Sequence, residues 1–227
     1  MATFKMQPRE IAPGVLILPL SPRDSINAYL LGEVLLDAGT RHDAGKLKRK
    51  LKGHRVTAHA LTHVHPDHQG ASAAICKEYG IELWAPAGEA DDMEAGELPG
   101  MTTSVAARFM RAVAAGPGYP VSRRLSAGDE VGGFVVVSSP GHSPDHLSYW
   151  RESDRVLIAG DAFRNMSYAT TRAMLDLPYE GFSTDPERVR SSAAELVKLR
   201  PALVAFGHGS PVDGDHFMRG MEKLGLA

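Results

Sequence analysis

Four side chains able to bind a metal fall within six residues of the stretch Thr62-His63-Val64-His65-Pro66-Asp67-His68-Gln69-Gly70. His63 and His65 stand two apart after an apolar run, so an extended backbone turns both rings to one side. Asp67 and His68 follow at a strand-to-helix turn, from which they can reach the same volume. Neutral imidazoles with a carboxylate suit a borderline divalent cation such as zinc, and manganese and iron accept the same donors. Three further positions share one context, an apolar strand and then a glycine that lets the chain turn tightly: His142, Asp161 and His208. Taken singly each is an ordinary turn or cap residue. Their order behind the first cluster points to one shared centre. His146 reads as a supporting or structural residue rather than a ligand. His42, His54, His59 and His216 have no site context and read as solvent-facing or packing residues.

The elements that must position these groups are legible in outline. Strands are expected over 14–19, 26–31 and 34–37, the last two joined by a hairpin turn at Gly32-Glu33. A helix is expected over 42–50 with Gly53 as its stop, then a buried strand over 56–61 that runs straight into the histidine cluster. A helix over 69–79 ends at Gly80, and a short strand covers 81–85. The stretch 86–126 is looser, with an amphipathic helix over 103–114 that packs on the body or lids a pocket. Strands resume at 133–138, 146–151 and 155–159. A helix over 185–199 carries a capping box, Thr184 with Glu187, and Pro186 in its first turn. A strand over 203–206 and a helix over 212–224 close the chain. Two β-rich halves, roughly 1–125 and 126–227, each with covering helices, predict a layered α/β sandwich forming a single domain over 1–227.

Composition bounds the function. The 227 residues are 43% hydrophobic and 23% charged, which is ordinary for a soluble globular protein, and are long enough for a self-sufficient core. Lys and Arg number 25 against 27 Asp and Glu, so no general field draws a polyanion, and nucleic acid is not an expected partner. The single cysteine, Cys76, excludes an internal disulfide and reads as buried core. No apolar run approaches the ~18 residues of a membrane span, and the first ten residues have no signal-peptide character. A cytoplasmic location is expected.

The series His-x-His-x-Asp-His, Gly-His, Gly-Asp, Gly-His, together with Leu35-Leu36-Asp37-Ala38-Gly39, resembles the metallo-β-lactamase-fold hydrolase superfamily over almost the whole chain. The resemblance implies a four-layer αββα sandwich with metals at one edge between the sheets. It assigns His63, His65 and His142 to a first metal and Asp67, His68 and His208 to a second, with Asp161 bridging them. Asp37 becomes a supporting residue that ties a metal loop in place, or a plain turn residue. Two divalent ions, zinc first, with manganese or iron as alternatives, then hold a bridging hydroxide, which Asp67 helps to orient. That hydroxide attacks a small carboxylic ester, thioester or lactone. Arg164, Tyr168, Arg172 and Tyr179 are candidate substrate contacts or proton donors, with ordinary surface and packing roles as the alternative.

Several relatives are set apart by sequence. The β-lactamases of this kind generally lack the bridging Asp, and Asp161 speaks against antibiotic hydrolysis. The superfamily's nucleases and phosphodiesterases share the ligands but carry a gripping arm and basic surface that are not evident here. Glyoxalase II-like thioesterases have an Arg-bearing, glycine-rich segment from which 163–168 departs. Lactonases match in size, although Asp145 stands where a glycine is common. Mononuclear iron persulfide dioxygenases use the first-site histidines with an Asp, and a catalytically idle metal-binding module is the remaining class. The oligomeric state stays open, a homodimer included.

Overall fold

The computed structural model describes residues 6–98 and 111–227. Among these, seven strands form one sheet in chain order: β1 (Arg9–Ala12), β2 (Val15–Pro19), β3 (Asn27–Leu31), β4 (Val34–Leu36), β5 (Ala58–Ala60), β6 (Glu82–Pro86) and β7 (Arg123–Leu125). Its first four strands are antiparallel, whereas β4 to β7 run parallel. A second sheet has the order β15 (Val212–Asp213), β14 (Leu203–Ala205), β11 (Val156–Ile158), β10 (Leu147–Arg151), β9 (Phe134–Ser138) and β8 (Glu130–Val131). Within it β11 and β14 are parallel. A small antiparallel pair, β12 (Arg164–Asn165) with β13 (Leu175–Asp176), stands apart.

The layering follows from strand alternation. Val15, Ile17, Tyr29, Leu31, Val34 and Leu36 of the first sheet meet Phe134, Val136, Leu147, Tyr149, Val156 and Ile158 of the second in one core. The alternate residues Leu18, Leu30 and Leu35 face outward onto α1 (Ala44–Leu51) and α3 (Ser72–Tyr79). On the other side Trp150, Leu157 and Val204 pack against α5 (Pro186–Lys198) and α6 (Gly214–Lys223). A strand residue points to alternate faces, so strands apolar on both faces must be covered on both. The result is the expected αββα sandwich.

Several expectations shift in detail. The 69–79 helix divides into α2 (Pro66–Gln69) and α3 around Gly70 and Ala71. The α5 cap is Asp185, whose carboxylate accepts from Arg188 N at 2.9 Å, rather than Thr184. Pro186 takes the first helical position, so the cap must be the residue before it. The closing helix begins only at Gly214, because 212–213 pair with β14. The expected 103–114 helix lies outside the described residues apart from 111–114, which are helical. Cys76 is buried, as expected, and burial pushes its thiol up to about 12.

Candidate metal centre

The parallel strands deliver the chemistry to one edge. Asp37 follows β4, and His63, His65, Asp67 and His68 follow β5. Asp161 and His208 follow the parallel neighbours β11 and β14, and His142 follows β9. The carboxyl ends of parallel neighbours share one edge of a sheet, which is where such folds gather functional loops. The inter-sheet core locks the two sets of loops together. Tyr29, on the first sheet, donates across to Phe206 O at 2.6 Å, two residues before His208. Tyr149, on the second, donates to Leu61 O at 2.7 Å, two residues before His63.

All seven residues assigned to metal meet there. Ligand-capable atoms lie within 4.8 Å of one another in three groups: His63–His65–His142, His63–His68–Asp161 and Asp67–His68–His208. The Asp161 carboxylate stands between the outer groups. Its Oδ2 is 3.4 Å from His142 Nε2 and 3.2 Å from His208 Nε2, and its Oδ1 is 3.5 Å from His68 Nε2. His208 Nε2 is also 3.3 Å from Asp67 Oδ2. Gly207 makes room for this: a Cβ there would collide with Asp161 Oδ1 and His68 Cε1.

The rings are aimed by their outer nitrogens. Nδ1 of His63 meets Thr62 Oγ1 at 2.9 Å, that of His68 meets Asp37 Oδ2 at 2.8 Å, and that of His208 meets Ser25 O at 2.7 Å. His142 Nδ1 faces Ser183 Oγ at 3.4 Å. A histidine held through one nitrogen presents the other, and such outer partners fix both tautomer and direction. Asp37 also accepts from Thr62 N at 2.8 Å and from Thr62 Oγ1, so one buried carboxylate anchors the start of the loop and the His68 ring. It adopts φ of 58°, a left-handed conformation that a non-glycine residue holds only where its surroundings enforce it. His146 accepts from Asp161 N at 2.9 Å through Nε2, and its Nδ1 meets Ser139 Oγ at 2.8 Å. It therefore holds the Asp161 backbone, in keeping with a supporting role.

The donor set fits a divalent cation. Among the described residues, His63 Nε2, His68 Nε2 and Asp161 Oδ1 are buried without a hydrogen-bond partner, an arrangement that costs free energy unless something positive meets it. The electrostatics agree. Burial, reinforced by the neighbouring rings, drives His63 and His142 well below the ordinary histidine value. At His68 burial acts the same way, but the Asp161 and Asp37 carboxylates override it and lift the ring to about 10. Burial opposes ionisation of Asp161, yet His208 and His68 hold it far below the carboxylate range. The centre calls for positive charge between its carboxylates.

The candidate substrate residues divide. Tyr168 lies beside the centre, its ring 5.6 Å from that of His208 and 6.0 Å from Phe182. Tyr179 is exposed, its ring 5.7 Å from Phe182. Arg172 is exposed on the 166–174 excursion between β12 and β13. Arg164 is buried and directed elsewhere: it donates to Leu177 O, Met166 O and Asp176 Oδ2, clamping its own hairpin rather than offering a charge to substrate. Of the other histidines, His59 is a core residue held by Leu35 O and Ser72 Oγ, while His42 and His216 are exposed. Glu89, Thr62, Ser25 and Ser183 carry no signal in the sequence, being single polar residues whose role depends on the partners the fold brings to them.

Comparison with known proteins decides the family. The model of the metallo-beta-lactamase superfamily matches residues 21–208. The chain belongs to this superfamily. It is 27% identical over 218 residues to the probable metallo-hydrolase YflN of Bacillus subtilis strain 168, a match covering 84% of this chain and 80% of that protein. A hydroxyacylglutathione hydrolase of Bradyrhizobium sp. strain BTAi1 is 30% identical over 125 residues, but the match spans only 39% of its length. Among solved structures, the BLEG-1 B3 metallo-beta-lactamase superposes with a TM-score of 0.68 at 26% identity, over 90% of this chain and 96% of that one. This member of the superfamily is a metal-dependent hydrolase. None of its helices, among the described residues, is long and apolar enough to cross a membrane.

Proposed function

We propose that the protein is a dinuclear hydrolase of small carboxylic esters, thioesters or lactones. The observation that carries this reading is the presence of two complete ligand groups, His63–His65–His142 and Asp67–His68–His208, with Asp161 touching both. These seven residues would hold two divalent ions, zinc being the first choice for imidazole with carboxylate. When bound, such ions supply a water acidified towards pH ~7 and polarise the substrate carbonyl.

The chain's own residues do the rest. Asp67, held ionised against its burial by the His208 hydrogen bond and by His68, accepts a hydrogen bond from the attacking water and orients it. Asp37, Thr62, Ser25 and Ser183 keep the rings in place, so no reorganisation is needed as charge develops. The Tyr168 side chain is 39% exposed, yet the desolvated surroundings of its hydroxyl push the phenol up to about 12; it stays protonated at neutral pH and would donate to a substrate oxygen. Arg164, bonded to its own hairpin, lies 5.5 Å over the Tyr168 ring and supports it rather than meeting substrate. The lone cysteine suits a reducing compartment, and we place the enzyme in the cytoplasm.

The test is elemental analysis of the purified protein paired with hydrolysis of a panel of thioesters, lactones, alkyl esters, phosphodiesters and a β-lactam. Two metal equivalents with turnover on the carboxylic substrates are expected. One iron with oxygen consumption on a persulfide, turnover confined to phosphodiesters or the β-lactam, or no turnover at all would remove the reading.

A further inference from the structure

One fully buried carboxylate takes no part in the chemistry described so far. Glu89 ends the 3-10 turn Ala87–Glu89 that follows β6, inside the stretch whose sequence suggests only loose structure. Its Oε2 accepts from Val64 N at 2.7 Å, and its Oε1 accepts from Asp145 N at 2.9 Å and from the Ser143 hydroxyl. Two of these bonds land beside the histidines of the first ligand group. Val64 lies between His63 and His65, and Ser143 follows His142. The contact is returned, because Asp145 Oδ2 accepts from Gly88 N at 2.6 Å. Residues 88–89 and 143–145, drawn from the two sheets' connections, therefore hold each other at both ends. A glycine at 145 could not supply the returning acceptor, so this clasp accounts for the Asp found there.

The donors to Glu89 are two backbone N–H groups and a hydroxyl, with no cation among the described residues bonded to it. A carboxylate buried in this way is costly unless its hydrogen bonds are all made. Burial does push its carboxyl above the ordinary range, against the three donors. Such a group is kept where its geometry matters. A ligand loop shifted by about 1 Å loses coordination that no local side chain restores.

We propose that Glu89 is a positioning residue for the first metal, clasping the His63–His65 loop to the His142 loop together with Asp145. This rests on the reading that the first group holds a cation. The two oxygens of Glu89 are both acceptors, and Gln cannot reproduce that. In Glu89→Gln one end becomes an amide NH2 and faces either Val64 N–H or the donors of 143–145, so one side of the clasp opens.

The experiment is a cobalt(II) titration of the full chain against a competing chelator, following the visible absorption of the bound ion. The two binding steps are assigned with His142→Ala and His208→Ala. For Glu89→Gln, the first-group step is expected to weaken about tenfold or more with an altered spectrum, while the second-group step stays within about twofold. Asp145→Gly is expected to weaken the same step by less. Ser143→Ala, which removes one hydroxyl and keeps the fold, decides the matter should Glu89→Gln not fold, and it too should weaken the first step alone. Unchanged first-step affinity and spectrum in the folded variants, or equal loss at both steps in parallel with thermal stability, overturns the clasp. Wild-type protein that takes up no cobalt overturns the metal-centre reading itself, and the clasp with it.

Discussion

Tyr168 and Asp161 show how much a single side chain is asked to do in this centre. A thiolate leaves unaided, whereas an alkoxide gains from a proton donor. The Tyr168 phenol, beside His208 and protonated at neutral pH, is the donor we propose. Tyr168→Phe is therefore expected to lower kcat on an alkyl ester by about tenfold or more and on the matching thioester by no more than about twofold. Steady-state kinetics on the pair check it, and equal losses would sink the donor role. Asp161 is placed within reach of both ligand groups, so Asp161→Ala is expected to lose most of one metal equivalent and orders of magnitude in rate. The fold should be retained, and elemental analysis with circular dichroism gives the readout. The seven residues gathered at the centre were legible in the sequence because histidine and aspartate at these spacings are chemically specific wherever the chain goes. Glu89 was not legible, since a lone glutamate in a polar stretch carries no pattern, and its three donors lie 25, 54 and 56 residues away. Arg164 misleads for the converse reason. Its charge suggests a substrate contact, and only the β12–β13 hairpin reveals what it neutralises.

Elements are held in register by buried polar links that make their stability depend on pH. His59 on β5 bonds Leu35 O of β4 through Nδ1 at 3.2 Å and Ser72 Oγ of α3 through Nε2 at 2.8 Å. Burial lowers its pKa to about 4, from an ordinary value of 6.5. Between these values the unfolded chain takes up a proton that the folded one refuses. The contribution of His59 is thus complete above about pH 6.5 and is lost as the pH falls towards about 4, by up to about 3 kcal/mol. His59→Gln can keep both hydrogen bonds but cannot titrate. Its melting temperature should fall less between pH 7 and pH 5 than that of the wild type, and parallel curves would remove His59 from the account. The longer elements could be read directly, because strands such as 15–19 and 147–151 are apolar at positions whose burial the sandwich requires. Pairs as short as Arg164–Asn165 and Leu175–Asp176 have no period to read and form only where tertiary contacts align them. The α5 cap moved by one residue for a similar reason. Thr184 has a suitable side chain, but its backbone N and hydroxyl both bond His142 O, leaving Asp185 to cap the helix and Thr184 to fix the metal loop.

At the scale of the whole molecule the centre is a junction between the two sheets. His63, His65, Asp67 and His68 come from connections of the first sheet, and His142, Asp161 and His208 from the second. Protein bonds span the junction at specific points besides the Glu89–Asp145 clasp. Tyr29 reaches Phe206 O, Tyr149 reaches Leu61 O, Asn27 bonds Phe206 O and Gly209 O, and the Arg9–Asp24 pair continues to Ser210. A cation bound by both sets of loops exists only in the folded chain, so it stabilises by mass action, about 2.7 kcal/mol at a hundredfold excess over its dissociation constant. For a chain of this size each kcal/mol moves the midpoint by roughly 2–4 °C. Chelation is therefore expected to lower Tm by about 5–10 °C, reversibly on adding back zinc. Hydrogen exchange should locate the loosening at 62–70, 141–146, 160–163 and 206–210, with the central strands protected. The distribution of the effect is what tests the junction. Exchange that rises only around 62–70 would mean the ions sit within one half, and a Tm indifferent to chelator would mean the sheets meet without them.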